Sequence, residues 1–223
     1  MRGLPSRLLV ITDRHQARHE IEAIADAAGQ GGGRWLLLRD KDLDPAARHR
    51  LAARLAGIAL RHGMHLSVSR DVDLAAEFGA SLHLQAAAAV GAARRRLGPD
   101  ALIGVSAHEL GDVAAAAAAG ADYVTLSPIF LTSSKPGYGP ALGLAAINAA
   151  SNLGIPILAL GGVSADVVRP CLDAGASGVA VMGDVMRSDH PARIVGDLMT
   201  ACKAATADSD SASRMPEGLV EWR

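Results

Sequence analysis

Neither sign of charge predominates in this chain, cysteine is nearly absent and no apolar run is long. The 223 residues carry 22 Lys+Arg against 23 Asp+Glu, a formal charge of −1. Without a basic excess, a nucleic-acid footprint is not expected. A local cluster of a few cations would still suffice for a phosphate. Two cysteines, Cys171 and Cys202, cannot build a disulfide framework, and Cys171 reads as a small core residue. No stretch approaches the ~18 to 20 uninterrupted apolar residues of a spanning helix. The mean hydropathy of +0.21 comes instead from alanine in helices. Residues 1–6 are too short and polar for the apolar part of a signal peptide, so a soluble cytoplasmic protein without membrane contact is expected. The opening run 8–12 is not followed by Gly-x-Gly-x-x-Gly, which weakens a dinucleotide-binding reading.

With 50% hydrophobic and 20% charged residues, disorder of the whole chain is excluded and a core of useful size is within reach. Short apolar runs recur at 8–12, 35–39, 65–69, 81–84, 102–106, 123–127, 157–161 and 178–182. They are largely unalternating, as expected of strands buried on both faces. Between them lie helix-length, alanine-rich segments such as 20–28, 45–61, 87–97, 109–119, 165–174 and 191–204. Asp44-Pro45 and Ser164 suit helix starts, and Gly63, Gly120 and Gly175 suit left-handed helix ends. Roughly eight such units in one chain are what a (β/α)8 TIM barrel requires, with a doubly wound open sheet as the alternative. Residues 1–205 are therefore expected to form a single α/β barrel domain, and 206–223 a polar, disordered tail.

In a barrel of this kind chemistry gathers at the C-terminal ends of the strands. Those ends read Asp13, Arg39 with Lys41, Ser69 with Arg70, His83 with Gln85, Ser106 with His108, Ser127, Gly161-Gly162 and Gly183-Asp184. Each one alone is explained by wet loops; the series points to a functional mouth. The long segment 127–143 adds Thr132, Ser133 and Ser134 as hydroxyl donors, Lys135 as a charge, and several glycines. That combination suits a phosphate or pyrophosphate. Gly161, Gly162 and Gly183 fall where barrels bind phosphate on backbone amides. Arg39 and Lys41 alternate on an extended segment and would join Lys135 in a cationic triad. Salt bridges to Asp40 and Asp42 are the competing account. His83 and His108 offer acid or base groups.

Several segments resemble thiamine phosphate synthases and the related TenI proteins. They are Ile-Thr-Asp-Arg ending at 14, Leu-Arg-Asp-Lys-Asp-Leu at 38–43, Gly-Val-Ser-Ala-His at 104–108, and Ala-Asp-Tyr-Val-Thr-Leu-Ser-Pro-Ile-Phe-x-Thr-Ser-Ser-Lys-Pro-Gly at 121–137. Ile-Pro-Ile-Leu-Ala-Leu-Gly-Gly-Val at 155–163 and Ala-Gly-Ala-Ser-Gly-Val-Ala-Val-Met at 174–182 complete the set. The resemblance implies a (β/α)8 barrel that joins hydroxymethylpyrimidine diphosphate to a thiazole phosphate, releasing diphosphate. It implies that Arg39, Lys41, Ser106 and Lys135 hold the diphosphate. Thr132, Ser134 and Gly162 would meet the thiazole phosphate, and His83 would line the pyrimidine pocket. The expected partners are these phosphorylated small molecules, and a homo-oligomer is compatible with the sequence.

The departures from the family pattern are as informative. Gln-x-Arg is replaced by Leu37-Leu38-Arg39, and Asn-Asp at the third strand by Ser69-Arg70. His-x-Gly-Gln-x-Asp is replaced by 83–88, ending in Ala88, and the serine after the eighth strand by Gly183. The family implies Mg2+, but both expected carboxylates are replaced, by Arg70 and Ala88. A cation beside Arg70 is unfavourable, so no metal ligand is expected. Asp71 and Asp73 stand close by, but they open a helix, where carboxylates are ordinarily favoured. The TenI catalytic histidine aligns with Pro128. Three readings follow: a synthase in which Arg70 replaces part of the metal charge, a TenI-like thiazole phosphate isomerase using His83 or His108, and a non-catalytic binder of thiazole or thiamine phosphate.

Overall fold

The computed structural model describes residues 3–131 and 140–212, the side chains of 206–212 excepted. Eight parallel strands close into a barrel in chain order: β1 (Leu8–Ile11), β2 (Trp35–Leu38), β3 (His65–Ser69), β4 (Ser81–Leu84), β5 (Ile103–Ala107), β6 (Tyr123–Leu126), β7 (Ile157–Leu160) and β8 (Gly178–Val181). Closure is explicit, since Val10 of β1 lies opposite Leu36 of β2 and Val181 of β8. The open-sheet alternative is thereby set aside. Helices α1 (Ile21–Gln30), α2 (Pro45–His62), α3 (Val72–Glu77), α4 (Val90–Leu97), α5 (Leu110–Ala118), α6 (Gly143–Ser151) and α7 (Ala165–Asp173) follow the first seven strands. A 3-10 turn, Ala87–Ala89, precedes α4; α8 (Gly183–Met186) and α9 (Pro191–Ala212) close the chain. The boundary read from composition at 205/206 falls inside α9, and residues 213–223 lie outside the described residues. Among the described residues, no helix is long and apolar enough to cross a membrane.

The strands read as unbroken apolar runs because successive side chains enter two different cores. Leu8, Val10, Leu36 and Leu38 point outward into the layer beneath the helices. Leu9, Ile11, Trp35, Leu37, Tyr123, Leu158 and Ala180 fill the barrel interior. Alternation of face is still present, but it no longer shows as alternation of polarity.

The helix signals act largely as expected. The Asp44 carboxylate accepts from the Ala47 amide at 2.9 Å with Pro45 at the first helical position, and Gly63 ends α2 at φ +60°. Gly120 and Gly175 likewise lie at φ +78° and +104° beyond α5 and α7. Ser164 occupies the start of α7 but makes no capping bond; its hydroxyl donates to Asp166 Oδ1 at 2.5 Å. Cys171 and Cys202 are buried thiols outside any disulfide, and burial pushes the pKa of each up to about 11.

Candidate active site

The C-terminal ends of the strands surround a cavity of about 390 Å³, and every strand from β2 to β8 supplies at least one polar group or glycine to its wall or mouth. Arg39, Lys41, Ser69, His83, Gln85, Ser106 and His108 line it from β2 to β5. Thr125 and Ser127 follow on β6, with Gly161, Gly162, Gly183 and Asp184 after β7 and β8. The polar strand ends therefore converge on one space. Thr132, Ser134 and Lys135 lie outside the described residues.

On the β1–β2 side the polar groups are charged and paired. Asp13 is 6% exposed, and its carboxylate accepts from the His15 amide at 3.1 Å, Gln16 Nε2 at 2.8 Å and Arg39 Nη1 at 3.1 Å. Asp40 is 2% exposed; it accepts from the Thr12 hydroxyl at 2.6 Å and the Arg14 amide at 2.7 Å. Thr12 Oγ1 in turn accepts from the Arg39 amide at 2.9 Å. Asp42 collects Arg14 and His15 at the surface. The salt-bridge account of the Arg39 segment thus needs correction: Arg39 pairs with Asp13, while Asp40 and Asp42 face other groups. Strand β2 ends at Leu38, so Arg39 and Lys41 stand on the loop above it, and both still line the cavity.

On the β3–β4 side Arg70 takes a left-handed backbone, φ +68°, which a side chain other than glycine adopts at a cost. It is locked from both flanks. The guanidinium of Arg48 donates to the Ser69 carbonyl at 2.5 Å and to Asp71 Oδ2 at 3.1 Å, and the Arg70 amide donates to the His83 carbonyl at 2.9 Å. Arg70 does not itself line the cavity; its guanidinium donates to Gln85 Oε1, which does. Asp71 caps α3 through the Leu74 amide at 3.0 Å and Asp73 pairs with Arg96 at 3.0 Å, so both carboxylates have partners away from the cavity.

Among the described residues, the donor set of the mouth does not fit a magnesium ion. Among the described residues no three His, Cys, Asp or Glu side chains converge to hold a metal. Asp13 is already occupied by three donors, Asp184 faces Arg187 at 3.2 Å, and Ala88 offers a methyl group on the turn before α4.

Beneath the mouth the polar groups are neutral. His83 is 6% exposed; its Nδ1 lies 3.1 Å from the Tyr123 hydroxyl and its Nε2 lies 3.0 Å from Ser106 Oγ and 3.4 Å from Thr125 Oγ1. Burial pushes its pKa down to about 4 and the phenol of Tyr123 up, so both are uncharged near neutral pH. Tyr123 packs edge-on against Trp35, ring centroids 4.9 Å apart, and a Cβ at Gly104 would stand 2.1 Å from Tyr123 Cζ. Glycine at 104 is what lets this ring lie inside the barrel. His108 is exposed, with Nδ1 donating to the Ser127 carbonyl at 2.9 Å.

On the β7 side the wall is bare backbone. Gly161 and Gly162 have φ of +94° and +64°, and a Cβ would meet Pro128 Cα at 2.9 Å or the Leu131 carbonyl at 2.5 Å. The amides of Gly162 and Val163 have no backbone acceptor among the described residues. This is the arrangement expected of an anion-binding turn.

The family model described as thiamine monophosphate synthase matches residues 8–185 of the chain. The chain belongs to the thiamine monophosphate synthase family. A thiamine-phosphate synthase of Mycobacterium bovis is 39% identical over 215 residues, covering 90% of this chain and 96% of that one. One from Chromobacterium violaceum is 40% identical over 173 residues, covering 76% and 83%. Among solved structures, a thiamine phosphate pyrophosphorylase from Pyrococcus furiosus superposes with a TM-score of 0.76 at 24% identity, over 89% of this chain and 96% of that one. It shares the barrel. Membership places the chain among the enzymes of thiamine biosynthesis. Within this thiamine monophosphate synthase fold, sequence reading by strand ends missed Thr125 and the residues under His83, Ser67 and Tyr123. Their signal was polarity at inward positions two residues apart: Ser67 and Ser69, Ser81 and His83, Tyr123, Thr125 and Ser127.

Proposed function

We propose that the chain is a thiamine phosphate synthase that joins hydroxymethylpyrimidine diphosphate to thiazole phosphate and releases diphosphate. The observation that carries this reading is the pairing, across one cavity, of cations above β2 with bare glycine backbone after β7. Arg39 and Lys41, with Lys135 and the Ser106 hydroxyl, would hold the diphosphate; Thr132, Ser134 and the Gly162 turn would hold the thiazole phosphate. The bond from the pyrimidine methylene carbon to the diphosphate oxygen breaks with its electron pair leaving on oxygen. The thiazole nitrogen then gives its lone pair to the cationic carbon. Charge gathers on the leaving group, which positioned cations stabilise. His83 stays neutral through burial, so it does not repel the developing pyrimidine cation at its side.

In relatives a magnesium ion would supply part of that charge neutralisation. Because the donor set here does not fit one, we infer that Arg70, braced by Arg48 and bonded to Gln85, supplies positive potential at the same rim. An isomerase would lack its usual base, since His83 is buried and engaged on both nitrogens and Pro128 stands where that chemistry has its histidine. The missing carboxylates favour a second reading, a non-catalytic binder of thiazole phosphate.

The deciding measurement is product formation from the two substrates, with magnesium and with EDTA. Turnover in both, lost in Lys135→Ala and reduced in Arg70→Ala, is the expected result. Turnover only with magnesium, or unchanged in Arg70→Ala, would overturn the role given to Arg70. No turnover with tight thiazole phosphate binding would replace the synthase by the binder.

A further inference from the structure

Two consecutive residues at the end of β1 grip Arg39 at both its ends. Thr12 Oγ1 accepts from the Arg39 amide at 2.9 Å, and Asp13 Oδ2 accepts from its Nη1 at 3.1 Å. Both are buried, and neither lines the cavity that Arg39 lines. Asp13 is itself fixed within its own turn. Its Oδ1 accepts from the His15 amide at 3.1 Å, its Oδ2 from Gln16 Nε2 at 2.8 Å, and its carbonyl from the Gln16 amide at 3.1 Å. Among the described residues, Nε and Nη2 of Arg39 meet no protein acceptor. One nitrogen is tied to the wall, and the remaining donors are left to the cavity.

The tie continues to the β8 side. Arg187 Nη1 donates to Gln16 Oε1 at 2.5 Å and its Nη2 to Asp184 Oδ1 at 3.2 Å, and Asp184 lines the cavity after β8. A guanidinium only donates, so the Gln16 amide turns its oxygen to Arg187 and its nitrogen to Asp13. The Arg18 amide donates to the Met186 carbonyl at 2.9 Å, and its guanidinium pairs with Asp189 at 2.6 Å. These bonds pin the same loop to the same turn. Arg39 therefore takes its place from the β8 side as well as from β1.

A carboxylate this close to the cations of an anion site has two opposite effects. Through its field alone it repels a diphosphate and weakens binding. Through position it strengthens binding, because a long side chain already held in one pose loses less freedom when the ligand arrives. Contact favours position: Asp13 bonds Arg39 directly but stays off the cavity wall, and the cation it pairs with offsets its field there.

We propose that Asp13 and Gln16 are positioning residues, which hold Arg39 ready for its ligand and so tighten the binding of an anion whose sign of charge Asp13 shares. Neither touches the ligand; both act through Arg39. The hold on Arg39 stands on the bonds alone, while the anionic ligand rests on the synthase reading above.

The test has two arms, both on the full-length protein. The first needs no ligand. With 15N-labelled arginine, the guanidinium of Arg39, assigned by the resonances lost in Arg39→Ala, is expected to give resolved Nη signals from slowed rotation. These are expected to merge in Asp13→Asn. The second arm is titration with inorganic pyrophosphate. Asp13→Asn keeps the shape but turns an NH2 group toward a donor whichever way it lies, and is expected to weaken binding about tenfold. Gln16→Leu, at a partly exposed loop position, is expected to weaken it severalfold, and carries the test should Asp13→Asn not fold. In an Arg39→Ala background neither substitution should weaken binding further. Tighter or unchanged binding in Asp13→Asn, equal losses with and without Arg39, or merged Nη signals in the unsubstituted protein would each overturn the proposal. Resolved Nη signals without any pyrophosphate binding would overturn the synthase reading instead, and leave the hold on Arg39 standing.

Discussion

On the β1–β2 side of the mouth, Asp13 and Asp40 are buried as charges, each surrounded by donors. On the β4–β6 side, His83 and Tyr123 are buried as neutral groups bonded to each other, with the Ser106 and Thr125 hydroxyls at the far side of the imidazole. A buried charge is satisfied by partners from any direction that carry hydrogen, and what it contributes to a ligand is a cation held in place. A buried neutral group needs its hydrogens and lone pairs matched one to one, and what it contributes is an uncharged wall. A site that must hold two phosphorylated molecules in one relative pose gains from both.

This comparison is broken or sharpened by four measurements. Asp40→Ala should cost the most, about 3 kcal/mol, since the Thr12 hydroxyl and Arg14 amide would be left buried without an acceptor; urea unfolding at neutral pH measures it. Acid comes next. The folded pKa of His83 lies at about 4, below the ordinary value of 6.5 that the unfolded chain would show, so between those values only the unfolded state takes the proton. The stability of the neutral side is therefore complete above pH 6.5, declines as pH falls toward 4, and loses up to about 3 kcal/mol over the window. Thermal unfolding from pH 7 to 4.5 should show this decline, and His83→Gln should flatten it. A slope that His83→Gln leaves untouched would place the acid sensitivity elsewhere, for example at half-buried His65, which burial shifts in the same direction.

Tyr123→Phe should be milder, about 1 kcal/mol, because the ring still packs on Trp35 and only the hydroxyl's bonds are lost. A loss as large as that of Asp40→Ala would mean that the neutral side is as costly to disturb as the charged one. Smallest of all should be Asp42→Asn, within about 0.5 kcal/mol, although it removes a carboxylate from the same charged side. Asp42 is exposed, so its pairs with Arg14 and His15 are screened by water. Equal losses at Asp40 and Asp42 would show that charge, and not burial, sets the difference between the two sides.

Much of the barrel was legible because two-sided burial leaves a coarse trace, a short apolar run that ends in something polar. The run 35–39 illustrates both the success and the limit: its core residues are strand β2, but Arg39 leaves the strand to meet Asp13, 26 positions earlier in the chain. No local pattern names that partner. Ser67 and Thr125 were hidden for a different reason, since each is flanked in its strand by buried apolar residues, and a hydroxyl there reads as tolerated when it is in fact bonded. Helix α6, between Gly143 and Ser151, was passed over because its start follows the long glycine-rich segment and carries no side-chain cap. Arg70 was singled out by its charge, whereas its left-handed backbone and its brace from Arg48 belong to tertiary structure alone.

The missing side chain at Gly104 gives the cavity a height adjustment. His83 rests on the Tyr123 ring, and that ring rests on bare β5 backbone with no room for a methyl group. Substituting position 104 would lift the ring and raise the floor of the chamber, while every residue that touches a ligand kept its identity. Depth and charge can thus be engineered as separate variables: the first from beneath, at positions 104 and 123, and the second at the rim, at Arg39 and Lys41.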